Sequence, residues 1–504
     1  MNAASDQPPS PETPAPPVRL AIVLTCLSAL PILLFPGDTP WIFDEPAEIT
    51  IALQANQGHR LASHALTGNF HIAYGPMPIQ LNQLLLLISH DPRILILLRA
   101  AIVASIIAIS LLWLGRTLNL PLYFAPVILL APNVWLWTRQ PWAAFLVTPL
   151  SILSIAAYAA FLETRCGWSL AITISATIAM PLIHPQSIPL SVILLAHILL
   201  FQRRVLWQHK LKILPPLLLL ALLNYQYVKD ILQTLSIPSA LSQGHPGQTS
   251  RGIAFLGTFQ SARLITPEAF ESPLTQNPNL LLIIGHDFAL IFLPLTVLGL
   301  MICLRTFIHT RSNPPSPDDP RRAHVSLASI LLLVFFAHAL FAAATRLPPS
   351  PHYQFGLFGP TILAVWFALY LFPRRYFIRP ILICLYAASL SLFTLGTLIA
   401  VHLHGWPPNQ HSPTLNEQID LVEKLNHYSN ESAYTTVAVY MMDPPHPLLT
   451  LRFLYPSFPM VEMREPCALL ITQSATGRLQ LIEIPPGANP PPNAKLIPLH
   501  YPQE

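Results

Sequence analysis

Charge is scarce in this chain. Only 10% of its 504 residues are Asp, Glu, Lys or Arg, against roughly a quarter in soluble globular proteins. A chain so poor in charge and 53% hydrophobic cannot cover its surface in water, which excludes a soluble fold. The formal net charge of +4 is dispersed over loops, so nucleic acid is not expected as a partner. Cysteine is equally sparse. Cys26, Cys166, Cys303, Cys384 and Cys467 form no CxxC pair, which removes a disulfide framework and a thiolate metal site. Histidine is plentiful, yet no HExxH or related spacing occurs, so no zinc motif is expected. No cofactor is assigned, and a divalent metal has no support in the residues.

Long apolar runs fill the space that charge leaves. The spans expected are Leu20–Phe35, Ile94–Leu114, Leu122–Trp137, Trp142–Leu162, Trp168–Ile183, Ile188–Phe201, Leu211–Val228, Leu280–Leu304, Val325–Ala344, Phe355–Phe372 and Pro380–His402. They make about eleven helices, judged against the roughly 17–25 residues that a bilayer requires. Ile79–Ser89 is only about half that length and reads as interfacial. With that placement and a cytoplasmic N-terminus, Arg116, Arg165, Arg203, Arg204, Lys210, Lys212, Arg305, Arg311, Arg321, Arg322, Arg374, Arg375 and Arg379 fall on the cytoplasmic side. The opposite loops carry sparser cations, as the positive-inside rule requires. The expected class is an all-α polytopic membrane protein with interfacial helices in its first outer loop.

The domain plan follows. Residues 1–18 are a Pro-rich cytoplasmic tail before an uncleaved signal-anchor helix. Residues 19–403 form the transmembrane domain, with long outer loops at 36–93 and 229–279. Residues 404–504 combine a helix-like stretch, Leu415–His427, with β-rich runs at Thr435–Tyr440 and Ala468–Thr472, which suggests a small α/β domain on the outer, periplasmic face. No internal repeat is visible.

The first outer loop opens Trp41-Ile-Phe-Asp44-Glu45-Pro-Ala-Glu48. Adjacent carboxylates are informative in a chain with 23 acidic residues. Near a lipid-facing cavity a carboxylate can act as general base toward an acceptor hydroxyl or amine. The competing reading makes Asp44 a cap for the helix Pro46–Gln57; the two roles are compatible. His71 and Tyr74 precede the Gly75-Pro76 turn and are cavity-lining candidates, with a structural role as the alternative. His286 and Asp287 lie inside an apolar block near its outer end, where an ionisable pair faces a cavity or a partner. His184, in the Pro-rich break MPLIHPQSIP, is a further cavity candidate.

The run FDEPAEITIALQANQG, followed by HIAYGPMPIQLNQLLLLIS and RILILLRAAIVASIIAISLLWLGRTL, resembles the start of GT-C membrane glycosyltransferases of the protein O-mannosyltransferase and aminoarabinose-transferase type. LLAPNVWLWTRQPWAAFLV and PHYQFGLFGPTILAVWFALYLF continue the resemblance, which covers most of residues 20–400 in order; each motif alone is weak. The resemblance implies a transferase that moves a sugar from a polyprenyl-phosphate donor to a lipid, glycan or protein acceptor at the periplasmic face of a bacterial inner membrane. It makes Asp44 the base, with Glu45 binding the acceptor or tuning Asp44. Arg346, His352, Tyr353 and Arg139 become the donor-phosphate candidates. Tyr353 matches the family tyrosine, whereas His352 stands where arginine is usual, which shifts weight to Arg346. Arg139-Gln140-Pro141-Trp142 lacks the carboxylate that relatives often carry there. A transporter or flippase is the competing class, disfavoured by acids gathered at one surface and by the missing repeat; a noncatalytic scaffold is a third.

Overall fold

The computed structural model describes residues 18–41, 44–66, 73–235, 249–266, 279–292, 294–312, 322–348, 351–371, 378–405 and 414–420, and three later strands. The expected tail, His71 and most of the C-terminal segment lie outside the described residues.

Five helices among these are long and apolar enough to cross a bilayer: Pro92–Thr117, Ala143–Thr164, Leu280–Thr310, Ala323–Thr345 and Pro380–His404. A sixth span arises if Lys210–Leu223 and Tyr225–Gln233, bent by 63°, count as one. Val18–Leu33, Gly167–Ile183, Pro185–Phe201 and Tyr353–Leu369 are apolar but shorter. The chain is a multi-pass membrane protein.

Local chemistry explains the element ends. Asp91 accepts the Arg93 amide at 2.8 Å, Pro92 sits at the first helical position, and Arg116 occupies the last turn. That combination satisfies an orphan donor, presets φ and complements the helix dipole. Leu122–Trp137, expected as one span, is two short helices, Phe124–Leu129 and Pro132–Arg139. Pro132 holds Ala131 extended at ψ 131°, as the residue before proline prefers, and the chain turns there.

The spans share one apolar core centred on Ala143–Thr164 and Phe358–Leu371. Small residues let them close. A Cβ on Gly299 would lie 2.0 Å from the Ala364 carbonyl oxygen, an approach only glycine permits.

A second core lies beside the first. Trp41, Ile49, Ala52, Ala55, Ile79, Leu85, Leu95 and Ile96 pack together with Leu415 and Ile419. Helix Asp44–Gln57 supplies one wall and the 10-residue helix Met77–Leu86 another. The latter, which overlaps the stretch Ile79–Ser89 expected to be interfacial, is too short to span. A helical stretch at residues 415–420 closes the far side. It starts with a capping box: Glu417 N–H donates to the Thr414 hydroxyl at 3.2 Å, and Thr414 N–H to the Glu417 carboxylate at 2.8 Å. Leu415 N–H donates to the Thr39 carbonyl at 3.0 Å, and the Gln418 amide donates to the Trp41 carbonyl. Asp38 accepts from Asn416 at 3.3 Å and pairs with His402 at 2.9 Å.

Farther on, β1 (Thr436–Val439), β2 (Ala468–Gln473) and β3 (Leu479–Ile484) form a sheet in that order, β1 parallel to β2 and β3 antiparallel to it.

Candidate active site

Helix Asp44–Gln57 carries three acids in its first turns. Spacing of four puts Asp44 and Glu48 on one face, a single turn apart. Asp44 is half-buried, whereas Glu45 and Glu48 are buried. Glu48, only 1% exposed, accepts the Ala143 amide at 2.7 Å through Oε1. Its Oε2 is buried and finds no hydrogen-bond partner among the described residues.

Arg99 lies beneath these acids on helix Pro92–Thr117. Its guanidinium is buried and donates to Asn82 Oδ1 at 2.8 Å and to the Trp142 carbonyl at 2.9 Å. Burial pushes the Glu48 carboxyl up to about 8, although Arg99 and the Ala143 amide pull the other way; Asp44 adds to the rise. Desolvation thus outweighs a buried cation here, because the cation's hydrogen bonds go elsewhere.

A second side of the site comes from Tyr74. Its backbone exchanges hydrogen bonds with Ala65 and Leu66 at 2.8 Å each, and its ring lies against His184 with centroids 4.5 Å apart. His184 stands at the break between helix Gly167–Ile183 and the turn Pro185–Ser187, where Nδ1 accepts the Gln186 amide at 3.4 Å. Gly75 makes this junction: an added Cβ would fall 1.3 Å from the Leu182 carbonyl oxygen. Burial raises the Tyr74 phenol to about 12, and Tyr353, Asp44 and Glu48 reinforce the shift. Tyr74, Tyr353 and the acids therefore share one electrostatic neighbourhood. Tyr353 belongs to the turn Pro351–Leu357, which Phe355 anchors against Trp137, Phe145 and Trp142 at 4.7, 5.3 and 5.7 Å.

Other expected residues are placed differently. Arg346 is exposed at the end of helix Arg322–Thr345, with φ 53°; it leads into the segment that carries Tyr353. His352 lies in the same turn as Tyr353. Arg139 is buried, donates to the Phe35 carbonyl and stands 5.9 Å from the Trp135 ring centroid. Its contacts are with the protein's own helix ends. His286 and Asp287 pair with each other at 3.1 Å, His286 beside Phe393, with the Asp287 side chain 70% exposed. The contacts of that pair do not join it to Asp44.

Glu48, Arg99 and Asn82 escaped the sequence reading. Two signals for them existed: the four-residue step from Asp44, and an arginine inside the apolar block Ile94–Leu114, where an ionisable group normally marks function. Among the described residues no group of three or more His, Cys, Asp or Glu side chains is arranged to hold a metal ion.

No protein-family model and no curated protein sequence matches the chain. Among solved structures, the crystal structure of ArnT from Cupriavidus metallidurans bound to undecaprenyl phosphate is similar over 90% of this chain and 86% of its own, with TM-score 0.51 and 12% identity. The chain shares its overall fold with that protein.

Proposed function

We propose that this protein is a membrane glycosyltransferase that moves a sugar from a polyprenyl-phosphate donor to a lipid, glycan or protein acceptor. The observation that carries the reading is the half-buried Asp44, one turn from the buried Glu48 and near enough to Tyr74 to act on its phenol, on a fold shared with a protein crystallised with undecaprenyl phosphate. Asp44 takes the proton of the acceptor O–H or N–H. The freed electron pair attacks the anomeric carbon from the face opposite the phosphate, the anomeric C–O bond breaks, and the polyprenyl phosphate leaves with that bond's electrons. The configuration inverts. Positioned cations and hydrogen-bond donors stabilise the charge that grows on the phosphate. Arg346, His352 and Tyr353 are suited to that part, while Glu45 binds the acceptor or tunes Asp44. The pair His286–Asp287 and the loop residue His71 line the approach. Arg139, buried against Phe35, is assigned to pinning the helix that precedes the loop.

The same reading gives about eleven crossings, counting the short apolar helices against the span a bilayer needs. It puts the N-terminus in the cytoplasm and residues 404–504, with their three-stranded sheet, on the periplasmic face of a bacterial inner membrane. Asp44→Asn tests it. The inserted, folded variant should lose about 10²–10⁴-fold in sugar transfer from membrane lipid in vitro, the usual worth of a general base. Undiminished transfer by the variant removes Asp44 from the mechanism.

A further inference from the structure

Glu48 is the most deeply buried of the three acids, at 1% exposure, and no step proposed so far uses it. One carboxylate oxygen is held by the Ala143 amide and the other finds no partner among the described residues. An ionised carboxylate left in that state is costly, whereas a neutral acid needs far less solvation. The buried cation of Arg99 offsets this only in part. Arg99 directs its hydrogen bonds to Asn82 and to the Trp142 carbonyl. A second carboxyl, Asp44, sits one turn away on the same helix face. Two carboxyls so placed cannot both ionise cheaply, and the less buried one keeps the charge.

We propose that Glu48 works in its neutral acid form as the positioning residue for Asp44, so that the pair carries one negative charge and carries it on Asp44. This rests on the glycosyltransferase reading only in its kinetic consequence; the protonation state itself is a property of the fold. The division of labour has a chemical purpose. A single charge at Asp44 suffices to take the acceptor proton, and a second would repel an anionic phosphate donor. The acid group of Glu48, fixed at the Ala143 amide, keeps the first turn of the helix, and Asp44 with it, at a set distance from the Trp142–Ala143 segment.

Among the described residues, four titratable groups are coupled to Glu48 or to its neighbours. Asp44 and Glu45 share its helix, Arg99 comes from helix Pro92–Thr117, and Tyr74 from the segment before Met77. Helix Met77–Leu86 presents Gln80, Asn82 and Gln83, none of which titrates. Residues 415–420 give the second core Leu415 and Ile419, while Glu417 is bonded to the Thr414 amide.

The sign of the pH effect follows. The folded-state value, about 8, lies above the ordinary 4.5, so the folded protein binds the extra proton between those limits. The stability this contributes is full below pH 4.5 and is lost as pH rises through 8. Infrared pH-difference spectra of the full-length protein in detergent should therefore contain a protonated-carboxyl carbonyl band that disappears near pH 8. The band should be missing in Glu48→Gln, and in Asp44→Asn it should disappear at lower pH, since the Asp44 charge helps to raise Glu48. Wild-type transfer should fall about tenfold for each pH unit above that value, as one ionisation requires. In Glu48→Gln, turnover drops several-fold at neutral pH and the alkaline fall disappears. A wild-type spectrum without the band overturns the proposal, even if the variant proves unable to fold. So does a Glu48→Gln enzyme that keeps the wild-type alkaline limb, or one as inactive as Asp44→Asn at every pH. The infrared result stands apart from the assignment of substrate: if the band titrates as expected but no sugar is transferred, the function fails and the proton placement survives.

Discussion

Adding one methyl group at Gly75 should separate the two halves of the site. The Cβ of an alanine there would lie 1.3 Å from the Leu182 carbonyl oxygen, 2.5 Å from its carbon and 3.4 Å from the Ile183 nitrogen. All three are backbone atoms, so no rotamer change relieves the clash. A carbon–oxygen contact needs about 3.3 Å, which demands roughly 2 Å of relative movement. Tyr74, next in sequence, is tied on its other side by its hydrogen bonds to Ala65 and Leu66. The movement must therefore come from its contact with His184, now 4.5 Å between ring centroids. Overpacking of this kind costs about 1–3 kcal/mol, and the rigid backbone places it at the upper end. At about 3 kcal/mol the seated arrangement falls roughly 150-fold. Gly75→Ala should thus reduce sugar transfer by one to two orders of magnitude. Gly252→Ala is the matched control, because a Cβ there meets nothing within 4 Å; on helix Arg251–Gly257 it should be neutral or add up to about 1 kcal/mol. Transfer by Gly75→Ala within twofold of that control would refute the reasoning.

Two further substitutions probe how the loop is held. Leu415→Ala empties a fully buried position in the second core; a loss of about 2–5 kcal/mol is expected, read as faster protease cleavage of the folded protein, and an unchanged cleavage rate would show that the contact is dispensable. Arg139→Gln removes the guanidinium that binds the Phe35 carbonyl and faces Asp38. It should cost about 3–5 kcal/mol in thermal unfolding while leaving the donor KM alone; a raised KM at normal stability would instead return Arg139 to the phosphate site.

The long spans were plain in the sequence because helix-length apolar blocks survive any packing arrangement. The span expected at Ile94–Leu114 is the helix Pro92–Thr117, begun by Asp91 and Pro92, and the first-loop helix expected at Pro46–Gln57 is found at Asp44–Gln57. Hydropathy could not show that Leu122–Trp137 turns at Ala131-Pro132, since a folded-back apolar segment and a straight one have the same composition. The site was half legible. Asp44 and Tyr74 stood out by chemistry and position, but the Ala143 amide that fixes Glu48 comes from 95 residues away. No local pattern announces such a pairing. The contacts of His286–Asp287 among the described residues are with each other and with Phe393. A charged pair within an apolar block looks alike in sequence whether it faces a cavity or simply itself.

The closure of the first loop by residues 415–420 bears on how the protein is made. Gln418 and Trp41 are 377 positions apart, so the wall that Leu415 and Ile419 supply emerges long after the loop it completes. At about 5–20 residues per second, the loop waits roughly 20–75 s for its missing side. Through that interval Trp41, Ile49 and Ala52 lack the two side chains that later cover them. A chain stalled before residue 414 would therefore lack the side chains of Leu415 and Ile419 in this second core.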